Sequence, residues 1–367
     1  MTAEAIHDRP RPVPADLSDR VDRSAARAAD LLDLWWDRLV TDWAGTRAES
    51  GDIVEAGRPG GGKFLRARLA AAAYYGFGGT DDGTPDRLGG AVQLLHAALC
   101  LHDDVIDGDD RRHGRPNVIG VVTRMYLARR RSPSAARRQG RCAAILVGDQ
   151  LLIKAFQVLA GLDRLGAATR DRLAEEFHVA VGASIQGELL DLRGEWEHPV
   201  PGHPARIATL KTAAYSTVLP LRAGALAAGR QDEAILRALW RIGESLGVAY
   251  QLADDELSLL GDEAATGKPV LGDLRAGKRT ELIAQAYRLA GPDERSRLLA
   301  LLGDVHLDLA GARQVIEIVG RTGALEHTRR LRQRLTADAL RTADRALPTA
   351  LAGYLHQLAT SLSGRAA

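Results

Sequence analysis

A helix with an apolar, core-like face ends in a run of acid, and this constrains the chain more than any other stretch. Residues 94–116 read LLHAALCLHDDVIDGDDRRHGRP. Asp103 and Asp107 stand four apart on that helix, so their side chains point the same way. Like charges at this spacing repel, and a core helix gains nothing structural from them. Divalent cations between them would resolve the conflict. Magnesium favours hard oxygen ligands, keeps several waters and completes its shell with phosphate oxygens. Asp104 lies one residue off that face, where it could orient or assist. Asp109 and Asp110 read as the start of a solvated loop. Arg111, Arg112, His113 and Arg115 follow at once. Guanidinium groups bind phosphate bidentately, so acid for a metal beside base for an anion suits a metal–diphosphate complex. The plainer reading is an exposed acidic–basic helix end held by its own pairs.

The pattern recurs in GVAYQLADDELSLLGDEAATGKPVLGDLRAGKRT, residues 247–280. Asp254 and Asp255 again leave an apolar helical run, and Gln251 lies a turn earlier. Lys268, Asp273 and Lys278 follow in a Gly-rich polar region, where lysines are flexible point charges suited to phosphate. Two acidic helix ends can face each other across the mouth of a bundle, as in metal sites built from opposed helices. Other basic groups can complete such a pocket. Lys63 and Arg66 share a helical face after Gly60, Gly61 and Gly62, where exposed amides can meet an anion. Lys211 and Thr212 interrupt a mildly apolar helix.

The rest of the chain reads as helical. Apolar spacing predicts helices over about 19–45, 64–75, 91–107, 138–160, 165–192, 205–226, 231–260, 279–290, 292–302, 305–320, 325–344 and 348–363. Residues 46–62 and 108–137 break the pattern, GFGGTDDGTPDRLGG reads as turns, and RGEWEHPVPGHP as a loop. Strand evidence is weak. Residues 1–18 read as a loose, flexible tail and 19–367 as a single all-α domain. Aromatic residues are 4% of the chain, so its core must be built mainly from Leu, Ala, Val and Ile. The formal charge of +2 demands no nucleic-acid partner. Arginine-bearing runs such as 328–334 read as solvated faces or dimer-surface charge. Cys100 and Cys142 read as buried thiols. Neither a signal peptide nor an uninterrupted apolar stretch of transmembrane length is evident, so a cytoplasmic location without stable membrane insertion is expected.

Taken together, these residues resemble the all-trans isoprenyl (polyprenyl) diphosphate synthases, of the actinobacterial geranylgeranyl or longer-chain type, over nearly the whole length beyond the tail. The glycine-glycine-lysine motif matches Gly61, Gly62, Lys63 and Arg66. The first aspartate-rich motif matches Asp103, Asp104, Asp107 and Arg112. The second matches Gln251, Asp254 and Asp255, followed by Gly267-Lys268 and Gly277-Lys278-Arg279-Thr280, and the Lys-Thr pair matches Lys211 and Thr212. Four positions depart from the pattern. His113 stands for the second arginine, Ser258 for the third acid of the second motif, Gln93 for a glutamate, and Glu188 for the glutamine of a Gly-Gln-x-x-Asp element ending at Asp191.

The resemblance implies an isoprenoid synthase-type antiparallel helical bundle around a central cavity, commonly a homodimer. It implies magnesium, three ions with bound diphosphate, for which manganese can substitute. The partners implied are an allylic diphosphate and isopentenyl diphosphate. Asp103, Asp107 and Asp254 would hold metal. Arg112, Lys211, Lys268 and Lys278 would grip diphosphate, and Thr212 and Gln251 would offer oxygen dipoles to a carbocation. Gly62, Lys63, Arg66 and His96 would hold the acceptor, with His113 or Arg111 helping. Ala98 and Leu99, just before the first aspartates, would set product length, and the small Ala98 points to twenty carbons or more. Two other readings stay open: a class I terpene cyclase of related fold, and a non-catalytic partner subunit of a prenyl synthase.

Overall fold

Residues 15–59, 62–112, 114–260 and 272–363 are described by the computed structural model of the chain. The helices are α1 (Ala15–Ala44), α2 (Ala48–Glu55), α3 (Leu65–Gly76), α4 (Gly83–Asp107), α5 (Val118–Ala128), α6 (Pro133–Ala160), α7 (Ala167–Gly194) and α8 (His203–Ala208). A π-helical segment, Thr209–Val218, leads into α9 (Leu219–Ala227). Then come α10 (Glu233–Leu260), α11 (Gly272–Arg275), α12 (Glu281–Leu289), α13 (Pro292–Leu301), α14 (Leu309–Arg321), α15 (Ala324–Ala346) and α16 (Thr349–Ser363). The all-α expectation holds. The sheet present among the described residues is a two-residue antiparallel ribbon, Arg111–Arg112 (β1) against Arg115–Pro116 (β2).

Helix starts follow local chemistry. Asn117 caps α5 by accepting from Gly120 N, Ser132 caps α6 ahead of Pro133, Thr280 caps α12 and Asp308 caps α14. Each satisfies an amide that has no partner within its own helix. Several sequence boundaries need correction. α1 begins at Ala15, inside the stretch expected to be tail. Residues 48–55 and 118–128, expected to be irregular, are helical, and α4 begins eight residues earlier than expected, at Gly83. These pieces are short, or rich in Gly, Asp and Pro, so their spacing carries little signal and tertiary packing decides.

The main core joins α1, α3, α4, α6, α7, α9 and α10 through residues such as Trp36, Leu69, Leu94, Leu151, Phe177 and Leu219, all essentially buried. Trp36 also donates its indole N–H to Val54 O at 3.0 Å, tying α1 to α2. A satellite cluster from Leu259 to Ala324 holds the C-terminal third, with Leu282, Val315 and Leu298 at its centre. The π-helical segment is packed from two sides by glycines. A side chain at Gly187 of α7 would come within 2.3 Å of Lys211 N, and one at Gly247 of α10 within 2.4 Å of Ala213 Cβ. This close approach fixes the depth at which Lys211 and Thr212 sit.

Two surface expectations change. Cys142 of α6 is exposed and Cys100 of α4 half-buried. Arg329 and Arg332 turn inward onto the buried Glu256 of α10 rather than lining a solvated face. α6 is also long and apolar enough to cross a membrane by length and composition, with a mean hydropathy of 1.6 over its most apolar window, 39% of which is buried inside the protein.

Candidate active site

The acids stand where a helix is least able to hold them unaided. Asp103, Asp104 and Asp107 occupy the C-terminal end of α4, which closes at Gly108 with φ 74°. Asp254, Asp255 and Glu256 sit near the C-terminal end of α10. Carboxylates there oppose the helix dipole as well as each other, so cations must come from elsewhere.

Three basic side chains supply them. Arg112, on the ribbon, donates to Asp104 Oδ1 at 2.6 and 2.9 Å and to Asp103 Oδ2 at 3.3 Å. Lys211 Nζ stands 3.3 Å from Asp103 Oδ1, 2.9 Å from Glu188 Oε2 and 2.8 Å from Asp191 Oδ2. Lys278 Nζ lies 3.0 Å from Asp107 Oδ2 and 3.7 Å from Asp273 Oδ1. The Lys278–Asp107 bond spans 171 residues and joins the second segment to the first acidic cluster. Thr212 donates to Gln251 Oε1 at 3.0 Å, and Gln251 donates to Asp255 Oδ1 at 2.8 Å. The two acidic helix ends therefore belong to one site.

Ionisation follows this layout. Burial raises the Asp103 pKa, but Lys211, Lys278 and Arg112 more than reverse it, leaving the carboxyl below its usual range. Burial raises Asp104 despite Arg112 and Asn117, and raises Glu188 against the pull of Lys211. Glu195 is raised by burial and by the charges of Asp191 and Asp107. Asp255 is pushed up to about 7, first by burial and then by Asp254 and Asp273, against the Gln251 hydrogen bond. Burial alone would lower Lys211, but Asp103, Asp191 and Glu188 hold it well above the ordinary lysine value.

A second group of basic residues lies beside this one. Arg66 donates to Ser216 Oγ at 2.9 Å and to the Tyr215 hydroxyl at 3.4 Å. His96 Nδ1 is 3.3 Å from the same hydroxyl. Arg66 Nε is buried with no hydrogen-bond partner among the described residues, a cost of about 1–3 kcal/mol unless something else accepts from it. Lys63 and Gly62 are exposed, and a side chain at Gly62 would meet nothing within 4 Å, so that edge is open to an approaching group. Between Lys63 and Arg66, Phe64 holds a left-handed φ of 47°, an unusual conformation for a bulky residue that costs about 1–3 kcal/mol.

The structure thus gathers Asp103, Asp107, Arg112, Lys211, Thr212, Gln251 and Lys278 through mutual contacts. It sets Arg66 and His96 together and leaves Lys63 at the rim. Asp254 is exposed beside Asp255. Lys268 and His113 lie outside the described residues. Ala98 is fully buried in the core, whereas Leu99 is partly exposed. Asp104, noted from the sequence as one residue off the metal-facing side, is buried at 1% exposure and anchors Arg112. Asn117 steadies it by donating to Asp104 Oδ2 at 2.9 Å. Sequence reasoning missed Asn117, Tyr215, Ser216 and Glu195. An asparagine ahead of an apolar run could have revealed the first as a helix cap.

Among the described residues, no three acids or histidines converge on one point as a closed metal cage would require. The donor set nonetheless fits magnesium. It consists of carboxylates, it carries more acid than Arg112, Lys211 and Lys278 can balance, and magnesium usually takes one or two protein carboxylates and completes its shell with water and phosphate.

Known proteins resemble this chain in sequence and fold. The chain is 30% identical over 286 residues to the short chain isoprenyl diphosphate synthase of Methanothermobacter thermautotrophicus, covering 75% of this chain and 80% of that protein. It is 38% identical over 220 residues to the geranylgeranyl diphosphate synthase of Mycobacterium tuberculosis, covering 60% of this chain and 57% of that protein. The crystal structure of geranylgeranyl pyrophosphate synthase from Corynebacterium glutamicum, complexed with isoprenyl diphosphate and magnesium, superposes with a TM-score of 0.84 at 29% identity, covering 94% of this chain and 99% of that one. Residues 52–319 match the family model for polyprenyl synthetase, and the chain belongs to that family.

Proposed function

We propose that this chain is a magnesium-dependent trans-prenyltransferase that joins an allylic diphosphate to isopentenyl diphosphate and releases diphosphate. The observation that carries the reading is the Lys278–Asp107 contact at 3.0 Å, which, with the Lys278 charge also acting on Asp255, supports treating the two acidic helix ends as one site. Asp103, Asp107 and Asp254 would hold magnesium, whose charge would stabilise the departing diphosphate. Arg112, Lys211 and Lys278 offer fixed positive charge to the same leaving group before it leaves, so little reorganisation is needed as charge develops. Thr212 and Gln251 turn oxygen dipoles toward the allylic cation without attacking it. Apolar walls keep water away from that cation. Lys63, Arg66 and His96 hold the acceptor's diphosphate, and Arg66 Nε, unpaired among the described residues, gains an acceptor when that anion binds. The released diphosphate takes the proton that completes the new double bond.

The product is of geranylgeranyl length or longer, with the small Ala98 side chain beneath the aspartates as the determinant, and the working form is a homodimer. The test is incubation with magnesium and farnesyl diphosphate, with and without labelled isopentenyl diphosphate, followed by mass spectrometry. A labelled, longer prenyl diphosphate is expected. A cyclic hydrocarbon formed from farnesyl diphosphate alone would make the chain a cyclase instead.

A further inference from the structure

Charge is spread unevenly along the chain. Residues 111–148 hold ten arginines and no Asp or Glu, in a protein whose formal charge is +2. They form the ribbon, α5, the turn after it and the first part of α6. Arg112 faces the acids of the site, and the other nine are exposed. Arg129 pairs with Glu49 of α2. The remaining eight reach no carboxylate among the described residues. Elsewhere arginines are compensated, as Arg58 is by Asp33, Asp37 and Glu55 and Arg68 is by Asp22. The turn between α5 and α6 carries its charge at a conformational cost. Arg130 holds a left-handed φ of 58° while its amide bonds back to Leu127 O and that of Arg131 to Tyr126 O. Glycine closes a helix in this conformation without steric penalty, so the backbone does not account for an arginine there. Leu127 beside it is 42% exposed.

We propose that this arginine-covered end of α5 and α6 is a docking surface for an anionic lipid bilayer. A negatively charged leaflet attracts clustered basic residues, and guanidinium groups bind its phosphates bidentately. Arg111, Arg124 and Arg137 line a groove of about 230 Å³ between the ribbon, α5 and α6, with Asp110 the acid in its wall. Leu127 lines the same groove and offers an apolar contact suited to the boundary between headgroups and chains. A nucleic acid fits less well. Tyr126, the aromatic residue of this segment, is half-buried, so no exposed ring is offered for base stacking. The choice of a lipid surface rests on the prenyl-transfer reading, since a diphosphate with twenty carbons or more gains by leaving water for a bilayer. Arg111 is exposed and its neighbour Arg112 holds Asp103 and Asp104, so adjacent ribbon residues serve the docking surface and the first acidic cluster. The contact is electrostatic and peripheral, with α6 left packed in the protein.

The test is co-sedimentation of the full chain, without substrates, with vesicles of phosphatidylcholine alone and of phosphatidylcholine mixed with phosphatidylglycerol. The wild type should bind the mixed vesicles, come off them as salt screens the charges, and ignore the neutral ones. One arginine near an anionic surface is worth about five-fold in partitioning. The triple variant Arg130→Gln, Arg131→Gln and Arg138→Gln should therefore bind about a hundred-fold less, with its Tm and its elongation rate in the absence of vesicles at the wild-type values. Arg130→Gly should bind about five-fold less at an equal or higher Tm, because glycine relieves the left-handed turn. A fall in Tm for Arg130→Gly would make that side chain structural and count against the proposal. Equal binding to neutral and mixed vesicles, or undiminished binding by the triple variant, overturns it. Tighter binding, per phosphate, to a duplex DNA oligonucleotide than to the mixed vesicles overturns it in favour of a nucleic acid. Vesicle binding by a wild type that elongates nothing sinks the proposed function and leaves the surface standing, whereas elongation without vesicle binding sinks the surface alone.

Discussion

Lys211 is held among three carboxylates from two helices, Asp103 of α4 and Glu188 and Asp191 of α7. One ammonium cannot neutralise three acids, so the region stays net negative and favours an incoming metal–diphosphate complex over a bare anion. On the prenyl-transfer reading, replacement of Lys211 by Ala removes a fixed positive charge that would face the leaving group. The expected result is a fall in kcat of about 10²–10³-fold, measured as elongation rate at saturating magnesium and both substrates, with Lys211→Arg recovering part of it. Most of this site is legible in the sequence because it is locally conflicted. Acids four apart on an apolar helix, or lysines breaking an apolar run, signal a ligand before any fold is known. Asp104 and Asn117 carry no such conflict. Their roles arise from a bond between α4 and the cap of α5 that only the folded chain creates. Tyr215 was hidden for the same reason, since its partners lie 119 and 149 residues away.

At the level of elements, α10 is fastened at both its faces. Gly243 and Gly247 let it close on the π-helical segment, and Glu256 binds α15 through Arg329 at 2.5 and 2.8 Å and Arg332 at 3.2 Å. Glu256 is 5% exposed and directly follows Asp254 and Asp255, so this ion pair fixes where the second acidic end points. Truncation to Ala strands two arginines near the core, and loss of one partner of a buried pair costs about 3–5 kcal/mol. Arg329 keeps 40% of its side-chain exposure, which places the expected loss at about 3 kcal/mol, read as a lower urea midpoint at unchanged slope. Long helices were legible here because their apolar spacing is sustained. The inward turn of Arg329 and Arg332 was not, since a run of arginines looks the same whether it faces water or a single buried glutamate.

At the scale of the whole molecule, the all-α bundle could be read from helical spacing and the weakness of any strand signal, whereas what surrounds it could not. α6 and α7 pack on each other, and both leave large apolar side chains uncovered: Leu146 at 61%, Ile153 at 65%, Ile185 at 54% and Leu189 at 62% exposure. Isolated exposed leucines need no explanation, but several on two adjoining helices mark a surface meant to be covered. A second copy of the chain is the occupant that the homodimer reading supplies. α7 links this surface to the chemistry, because Glu188 and Asp191 hold Lys211 while Leu189, between them, is exposed. A partner packed on Leu189 would stiffen the side of the site that seats Lys211. Light scattering should therefore give about twice the chain mass of 39.4 kDa. The pair Leu146→Glu and Ile153→Glu, both exposed on α6, which carries none of the acids and bases named for the site, should halve it, because a buried unpaired carboxylate at such an interface is strongly unfavourable. The monomer so produced should retain its helical circular dichroism yet lose elongation rate. A monomer with full rate would show that each subunit holds its own α7 in place and that the uncovered face serves something other than catalysis.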